Sequence, residues 1–351
     1  MDRYAVRNKY RAQQPRTMRS PLFKPSDAQR AALRAQSERL RQPEAMLELL
    51  RSGLPDRSRP DSVLSCALQS AHPDRAMLRA QTRLPSGAER AFAVKIHGDD
   101  IAERVWSFTR TLGGPDSGDD RDGVCVPIGF VPSERALISP WIDGVLLSEV
   151  LDTRTSALLH RAAVVTAELH ELPTIPEPPT TVTTLLDETL ARCDRLRTRW
   201  PGALEHAEPL LEELRAAAPA LDHAAPAPVH GDLGGAQFLW TGTRLVLFDW
   251  DRFGYTDPAF DVGHFLAQLD RIGIVDPTLQ ATTPQWATGF ARAYYAVRPG
   301  VSRRNVEFFR AMTLVWKMHT ICRVHPNAWP QLVPRLAVAA HAAVQAVATP
   351  T

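Results

Sequence analysis

Asp232, Gln237 and Asp249 set the chemistry this chain can attempt. Asp232 closes the turn Val229-His230-Gly231-Asp232, Gln237 follows shortly after it, and Asp249 ends the apolar run Leu245-Val246-Leu247-Phe248. That layout suits phosphoryl transfer from ATP: one carboxylate orients the attacking hydroxyl, while an amide oxygen and a second carboxylate hold Mg²⁺ against the phosphates. Asp232 is then the catalytic residue, aligning the hydroxyl oxygen with the γ-phosphorus, which is a matter of positioning more than of proton abstraction. Gln237 and Asp249 are the expected metal ligands. Gln offers the same neutral oxygen as Asn on a longer side chain, and octahedral Mg²⁺ accepts such a ligand. The alternative is a weakened metal site, a nucleotide-binding pseudokinase acting through a partner. Asp251 reads as a turn cap without a metal role.

Lys95 stands in the alternating run Ala91-Phe92-Ala93-Val94-Lys95-Ile96, where a lone Lys usually reaches for water. Its apolar flanks and the downstream Asp232 motif favour a contact with the α- and β-phosphates instead. Glu103, on the helix expected next, is the glutamate placed to orient it.

The elements that must carry these residues follow from periodicity and turn signals. Residues 62–71, 75–84 and 90–97 read as strands, parted by Ala71-His72-Pro73-Asp74 and Pro85-Ser86-Gly87. A helix over about 99–112, a Gly/Asp-rich loop over 113–123 and two further strands over 124–131 and 135–141 complete this half. From Leu146 onward the pattern is helical, with helices expected at 156–172, 183–198, 204–217, 259–271, 284–297, 302–322 and 330–347. The fold class is α+β: a bilobal protein-kinase-like fold with a five-stranded antiparallel N-lobe sheet, one helix and a mainly helical C-lobe. Residues 61–141 form the nucleotide-binding lobe and 142–351 the C-lobe. Residues 1–60 form a basic, partly helical extension, partly disordered before Pro25 and helical over about 26–50.

Bulk properties exclude several classes. Of 351 residues, 44% are apolar and 23% charged, with a formal net charge of +2. No whole-protein field therefore argues for nucleic acid or a membrane. The four cysteines are scattered without a CxxC pair, so neither a disulfide framework nor a zinc site is expected. No apolar run is long enough to span a bilayer and no secretory apolar region follows Met1, so the expected location is cytoplasmic. Charge is uneven, since residues 1–42 hold eleven Lys or Arg against three acids. This stretch reads as a solvated face or as a surface for an acidic partner.

As a set, these residues resemble the aminoglycoside phosphotransferase family, the small-molecule branch of the protein-kinase-like fold. The likeness rests on Val94-Lys95, Ser139-Pro140-Trp141-Ile142-Asp143-Gly144, His230-Gly231-Asp232 through Gln237, and Phe248-Asp249 with Asp257-Pro258-Ala259-Phe260-Asp261. The segment Ala167-Glu168-Leu169-His170 is similar too, and the whole spans about residues 62–325. The resemblance implies an interlobe hinge at residues 140–142, with the Pro140 carbonyl and the Ile142 N–H meeting adenine. It also implies that His230 and Asp261 support the site structurally, Asp261 by hydrogen bonding to the catalytic loop. Two departures stand out: no glycine joins the first two strands, and Gln237 replaces Asn. Relatives acting on maltose and other sugars look as though they accept Gln here, which favours an active enzyme.

The expected function is thus an ATP-dependent O-phosphotransferase acting on a hydroxyl of a small molecule: an antibiotic, a sugar or a natural-product intermediate, with a metabolic sugar kinase as the alternative enzyme reading. Residues 270–351 hold nine Lys or Arg against three acids, which disfavours a polycationic aminoglycoside. Residues 183–225 hold eight acids against five Arg and are a candidate cation-binding wall. Trp286, Tyr294, Tyr295, Phe308, Phe309 and Trp316 read as core before they read as pocket.

Overall fold

The computed structural model describes residues 25–112, 121–173 and 178–348. Two helices come first, α1 (Asp27–Arg39) and α2 (Pro43–Gly53). Ser26 opens α1 with a capping box, accepting from the Gln29 N–H while its own N–H donates to the Gln29 side chain. Strands β1 (Ser62–Ala71), β2 (Arg75–Arg83) and β3 (Glu89–His97) follow, then α3 (Ile101–Thr109), β4 (Gly123–Val124), β5 (Gly129–Val131) and β6 (Ala136–Pro140). The N-lobe sheet has five antiparallel strands in the order β1-β2-β3-β6-β5.

Strand periodicity divides this sheet into two faces. Leu78, Ala80, Phe92, Val94 and Ile96 turn away from the cleft and share a core with Leu33, Leu40, Met46, Leu49 and Leu50 of the first two helices. Met77, Ala93 and Lys95 alternate with them and line the cleft. Residues 27–53 are therefore a structural layer of the N-lobe, so the boundary drawn at residue 60 does not separate two cores. Basic residues dominate the composition of this stretch and mask an apolar stripe. The part of the basic run before Pro25, and most of the 113–123 loop, lie outside the described residues.

The expected strand over 124–131 is two strands in different sheets. Val124 pairs with Leu247 in a parallel bridge, and the Cys125 N–H donates to the Leu247 carbonyl at 2.8 Å. Pro127 has no N–H to continue a ladder, and the chain re-enters the N-lobe sheet at β5. Beyond the hinge come β7 (Val145–Leu146), α4 (Thr155–Glu171), α5 (Val182–Arg199), α6 (Pro201–Ala217), β8 (Ala227–Val229), β9 (Phe238–Trp240), β10 (Leu245–Leu247) and β11 (Gly254–Thr256). The chain ends in α7 (Ala259–Val275), α8 (Thr283–Val297), α9 (Arg303–Val324) and α10 (Trp329–Ala348). The short strands form the platform β4-β10-β9-β7 and the pair β11-β8.

Helices α7 and α9 approach closely at Gly263, where a Cβ would lie 2.5 Å from the Val306 carbonyl oxygen. All six aromatics singled out in the C-lobe are buried, and Trp316 alone of them lines a cavity beside Asp232. No helix among the described residues is long and apolar enough to cross a membrane. Leu50 is fully buried in the N-lobe core. Leu50→Ala is expected to lower the unfolding free energy by about 2–5 kcal/mol in urea denaturation. A loss near zero would show that α2 is not part of the cooperative core.

Candidate active site

Strand β8 ends at Val229 and delivers His230-Gly231-Asp232 into the cleft. Gly231 has φ +83°, a left-handed conformation open to glycine at no steric cost. A buried carboxylate at the start of α7 holds the turn in place. Asp261 accepts from the backbone N–H of His230 at 2.6 Å and of Gly231 at 2.9 Å, and the His170 Nε2–H meets it at 3.2 Å. His170 is oriented in turn by the Tyr294 hydroxyl, 2.7 Å from its Nδ1. Burial opposes the charge on Asp261, but His170, His230 and the Gly231 N–H hold its carboxyl below the usual range. The His230 ring ties the turn to the second motif, donating from Nε2 to the Phe248 carbonyl at 2.9 Å.

Asp249 follows β10 in a left-handed conformation, φ +74°, which a non-glycine residue holds only when its surroundings enforce it. Lys95 bridges the lobes to meet it, with Nζ 2.5 Å from Asp249 Oδ1 and 2.7 Å from Asp251 Oδ1. Burial works against the ammonium, yet these two carboxylates raise the Lys95 pKa above its ordinary value. Lys95 and His97 likewise hold Asp251 well below the usual carboxylate range, against its own burial. Asp251 is thus a buried partner of Lys95, more than the turn cap expected of it. Glu103, the expected partner, lies on the exposed face of α3. The helix turns it away from β3, and carboxylates distant in sequence take its place.

The cleft holds a cavity of about 440 Å³, within the usual range for small-molecule sites. Lys95, Asp249 and Asp251 stand at one end, Pro140, Trp141 and Ile142 at the other, with Ala93, Leu137, Leu239 and Val246 between. The Trp141 N–H is committed to the Ala91 carbonyl at 3.0 Å. The β1–β2 turn brings Arg75 to the Lys95 end, 3.5 Å from Asp251, where a glycine-rich flap is lacking.

A second cavity of about 390 Å³ shares Arg75, Asp249 and Asp251 with the first and also contains Asp232. Asp232 has a 45% exposed side chain and lies 3.2 Å from His264 Nε2. Its partial burial alone would raise its pKa, but the His264 contact and the nearby Lys317 hold its carboxyl below the usual range. His264 itself is buried and pushed down to about 4, first by burial and then by Lys317, against the pull of Asp232. It therefore stays neutral near pH 7 beside Asp232, with the Gln268 amide nitrogen 3.4 Å from Nε2 and Thr313 Oγ1 3.3 Å from Nδ1.

Gln237 is the residue the structure leaves aside. Its backbone carbonyl accepts from the Phe248 N–H at 3.0 Å, but its side chain lies beside Gly234 and lines neither cavity. Among the described residues, no cluster of three His, Cys, Asp or Glu forms a metal cage.

Sequence reasoning missed His264, Arg75, Lys317 and two arginines of the second cavity, Arg192 and Arg252. The signal for His264 was present. It follows Asp261 by one helical turn and shares its face.

The sequence over residues 116–304, more than half of the chain, matches the phosphotransferase enzyme family. The chain belongs to that family. It is a small-molecule kinase by membership, and solved structures agree on the fold. A choline/ethanolamine kinase family protein from Mesorhizobium loti is 16% identical, with TM-score 0.54, covering 90% of this chain and 98% of its own. The aminoglycoside phosphotransferase APH(4)-Ia is 16% identical, with TM-score 0.57, covering 90% of this chain and 100% of its own. Spectinomycin phosphotransferase APH(9)-Ia, solved with ADP and spectinomycin, is 10% identical, with TM-score 0.55, covering 87% and 99%. No curated protein matches the sequence.

Buried His264 and half-buried His319 are expected to make the fold sensitive to acid. His264 and His319 are both held at about 4, so the unfolded chain takes up their protons near pH 6.5 while the folded chain does not. Stability that is complete above pH 6.5 is therefore lost as pH falls towards 4. His264→Gln keeps an N–H near Asp232 but cannot titrate. Its urea midpoint should fall less between pH 7 and 4.5 than that of the native chain, and an identical fall in both would exclude His264 as a source.

Proposed function

We propose that the protein moves the γ-phosphate of ATP to a hydroxyl of a small molecule, with Asp232 as the catalytic residue. The observation that carries this reading is the meeting of the two cavities at Asp249 and Asp251, with Asp232 in the second. ATP occupies the larger cavity, its adenine edge at Pro140 and Ile142 and its α- and β-phosphates at Lys95. Lys95 is already oriented by Asp249 and Asp251, so binding exchanges carboxylate contacts for phosphate contacts. His230 and Asp261 hold the catalytic turn, and Glu103 takes no part.

Asp249 would hold Mg²⁺, with Gln237 as a second ligand once its amide swings from Gly234 into the cleft. The metal would neutralise charge on the β- and γ-phosphates. Asp232 accepts a hydrogen bond from the acceptor hydroxyl on the oxygen that His264 leaves open. The hydroxyl oxygen bonds to the γ-phosphorus as the β–γ bridging bond breaks and ADP leaves with that electron pair. The hydroxyl proton passes to Asp232 and on to solvent. A carboxylate held in its charged form is a poor proton acceptor. Alignment of the hydroxyl is its main contribution, as expected for a loose, dissociative transition state.

Acceptor-dependent ADP release tests this. Asp232→Asn keeps the shape and His264 within reach, and should lower kcat by at least about a hundredfold with little change in the KM for ATP. Unchanged turnover would remove Asp232 from the mechanism. Gln237→Asn separates an adapted metal site from a weakened one. Loss of rate, accompanied by a higher Mg²⁺ requirement, is expected of an adapted ligand, whereas a gain would mark Gln237 as a defect.

A further inference from the structure

The C-lobe lining of the second cavity gathers a cluster of cations beside Asp232, Asp249 and Asp251. Arg192 and Arg195 on α5, Arg252 on the turn after Asp249, and Lys317 and Arg323 on α9 all line it, and none lines the nucleotide cavity. The acids of the cavity are engaged elsewhere. Asp74 faces Arg75, Asp249 and Asp251 face Lys95, and Asp232 is held by His264. The acid on the cation side is Glu188, 3.3 Å from Arg252.

Apart from Glu188, five of the acids of residues 183–225 that suggested a cation-binding wall are paired away from the cavity. Asp194 and Glu208 pair with Arg197, Glu212 with Arg215, Glu213 with His341 and Asp222 with Arg304. The side of α5 that faces the site presents arginines.

Two of the cations share one indole. The Arg192 guanidinium lies 4.4 Å from the Trp316 ring centre and that of Arg252 lies 5.5 Å away. Trp316 is fixed by donating from Nε1 to Thr189 Oγ1 at 2.7 Å. Arg192 is only 9% exposed, and among the described residues neither its Nε nor that of Arg252 has a hydrogen-bond partner. Buried donors of this kind are costly unless a ligand satisfies them. The cations also oppose one another. Burial and then Arg252 push Arg192 down to about 9. Burial, with Arg271, Arg192 and Arg252 outweighing the attraction of Asp232, brings Lys317 to about 8. A cluster assembled against its own repulsion is relieved by an anion, and guanidinium forks suit phosphate and carboxylate oxygens.

We propose that the acceptor is a hydroxyl compound carrying an anionic group, a phosphate or carboxylate, seated on Arg192, Arg252 and Lys317 with its hydroxyl at Asp232. Arg195 and Arg323 line the entrance side of the same seat. The volume of about 390 Å³ suits a compound of metabolite size. The proposal rests on the phosphotransferase reading for the hydroxyl and stands apart from it for the anion.

Two measurements on the full chain separate these. In the first, the nucleotide cavity is filled with AMP-PNP, and Tm is followed as inorganic phosphate replaces chloride at constant ionic strength. A saturable rise is expected in the native chain. The half-saturating phosphate concentration should increase by about ten- to a hundredfold in Arg192→Gln and in Arg323→Gln. Arg323 is exposed, so its variant folds even where that of Arg192 does not. In the second, ADP release is compared across matched acceptors: sugars with their phosphate esters, polyols with the corresponding acids, and aminoglycosides. The anionic member of each productive pair should show a kcat/KM at least about tenfold higher, a preference the two variants erase. A non-saturable Tm rise, equal in the variants, overturns the proposal, as does turnover of neutral or polycationic acceptors at least as fast as of anions. Saturable phosphate binding without ADP release from any acceptor would uphold the anion seat and sink the transferase reading.

Discussion

The Asp261 carboxylate is the interaction on which the site depends. It is fully buried, and a charge there is tolerable only because three donors converge on it: two backbone N–H groups of the catalytic turn and the His170 ring. Those bonds fix the turn carrying Asp232 to the first turn of α7. One helical turn later the same helix presents His264 to Asp232. The close contact at Gly263 sets α7 against α9, the helix that brings Lys317 and Trp316 to the cavity. Asp261 and His264 are therefore registered by a single helix, which also packs against the helix carrying Lys317 and Trp316.

A second constraint spans the lobes. Lys95 comes from the N-lobe sheet and its two carboxylates from the loop after β10, so the phosphate end of the cleft is defined only when the lobes are together. From that point the field changes sign along the cleft. Carboxylates dominate where phosphates and Mg²⁺ are proposed to sit, and guanidinium and ammonium groups dominate beyond Asp232. Transfer would take place at the boundary, with the acceptor on the cationic side. Low dielectric in a cleft of this kind makes both halves more effective than they would be in water.

Much of the frame was legible in the sequence. The five N-lobe strands and most C-lobe helices follow from alternation, period and Pro/Gly punctuation, and Lys95, Asp232 and Asp249 stand where short local patterns deliver them. The failures have physical causes. Glu103 seemed the partner of Lys95 because it lies on the next helix, but the helix rotates it to solvent and Asp251 arrives from far along the chain. The 124–131 run looked continuous, yet its two ends find partners in different sheets. Basic residues in 25–54 drew attention from the leucines that cover the back of the N-lobe sheet.

Lys95, Asp232 and Asp249, on which the proposed phosphate chemistry rests, were legible in the sequence because the turns and strand that hold them are short and their spacing is read directly. The contacts of Asp251 and Arg75 were not. The proposed acceptor seat is assembled only by the tertiary structure. Its wall combines Arg192 from α5, Arg252 from a turn, His264 from α7 and Lys317 from α9. A count of charges finds acids in 183–225 and bases after 270, but not which side of each helix turns inward. That is set by packing, as where Trp316 donates to Thr189 and holds α9 against α5. Packing joins residues with no spacing in common, so no pattern along the chain records it.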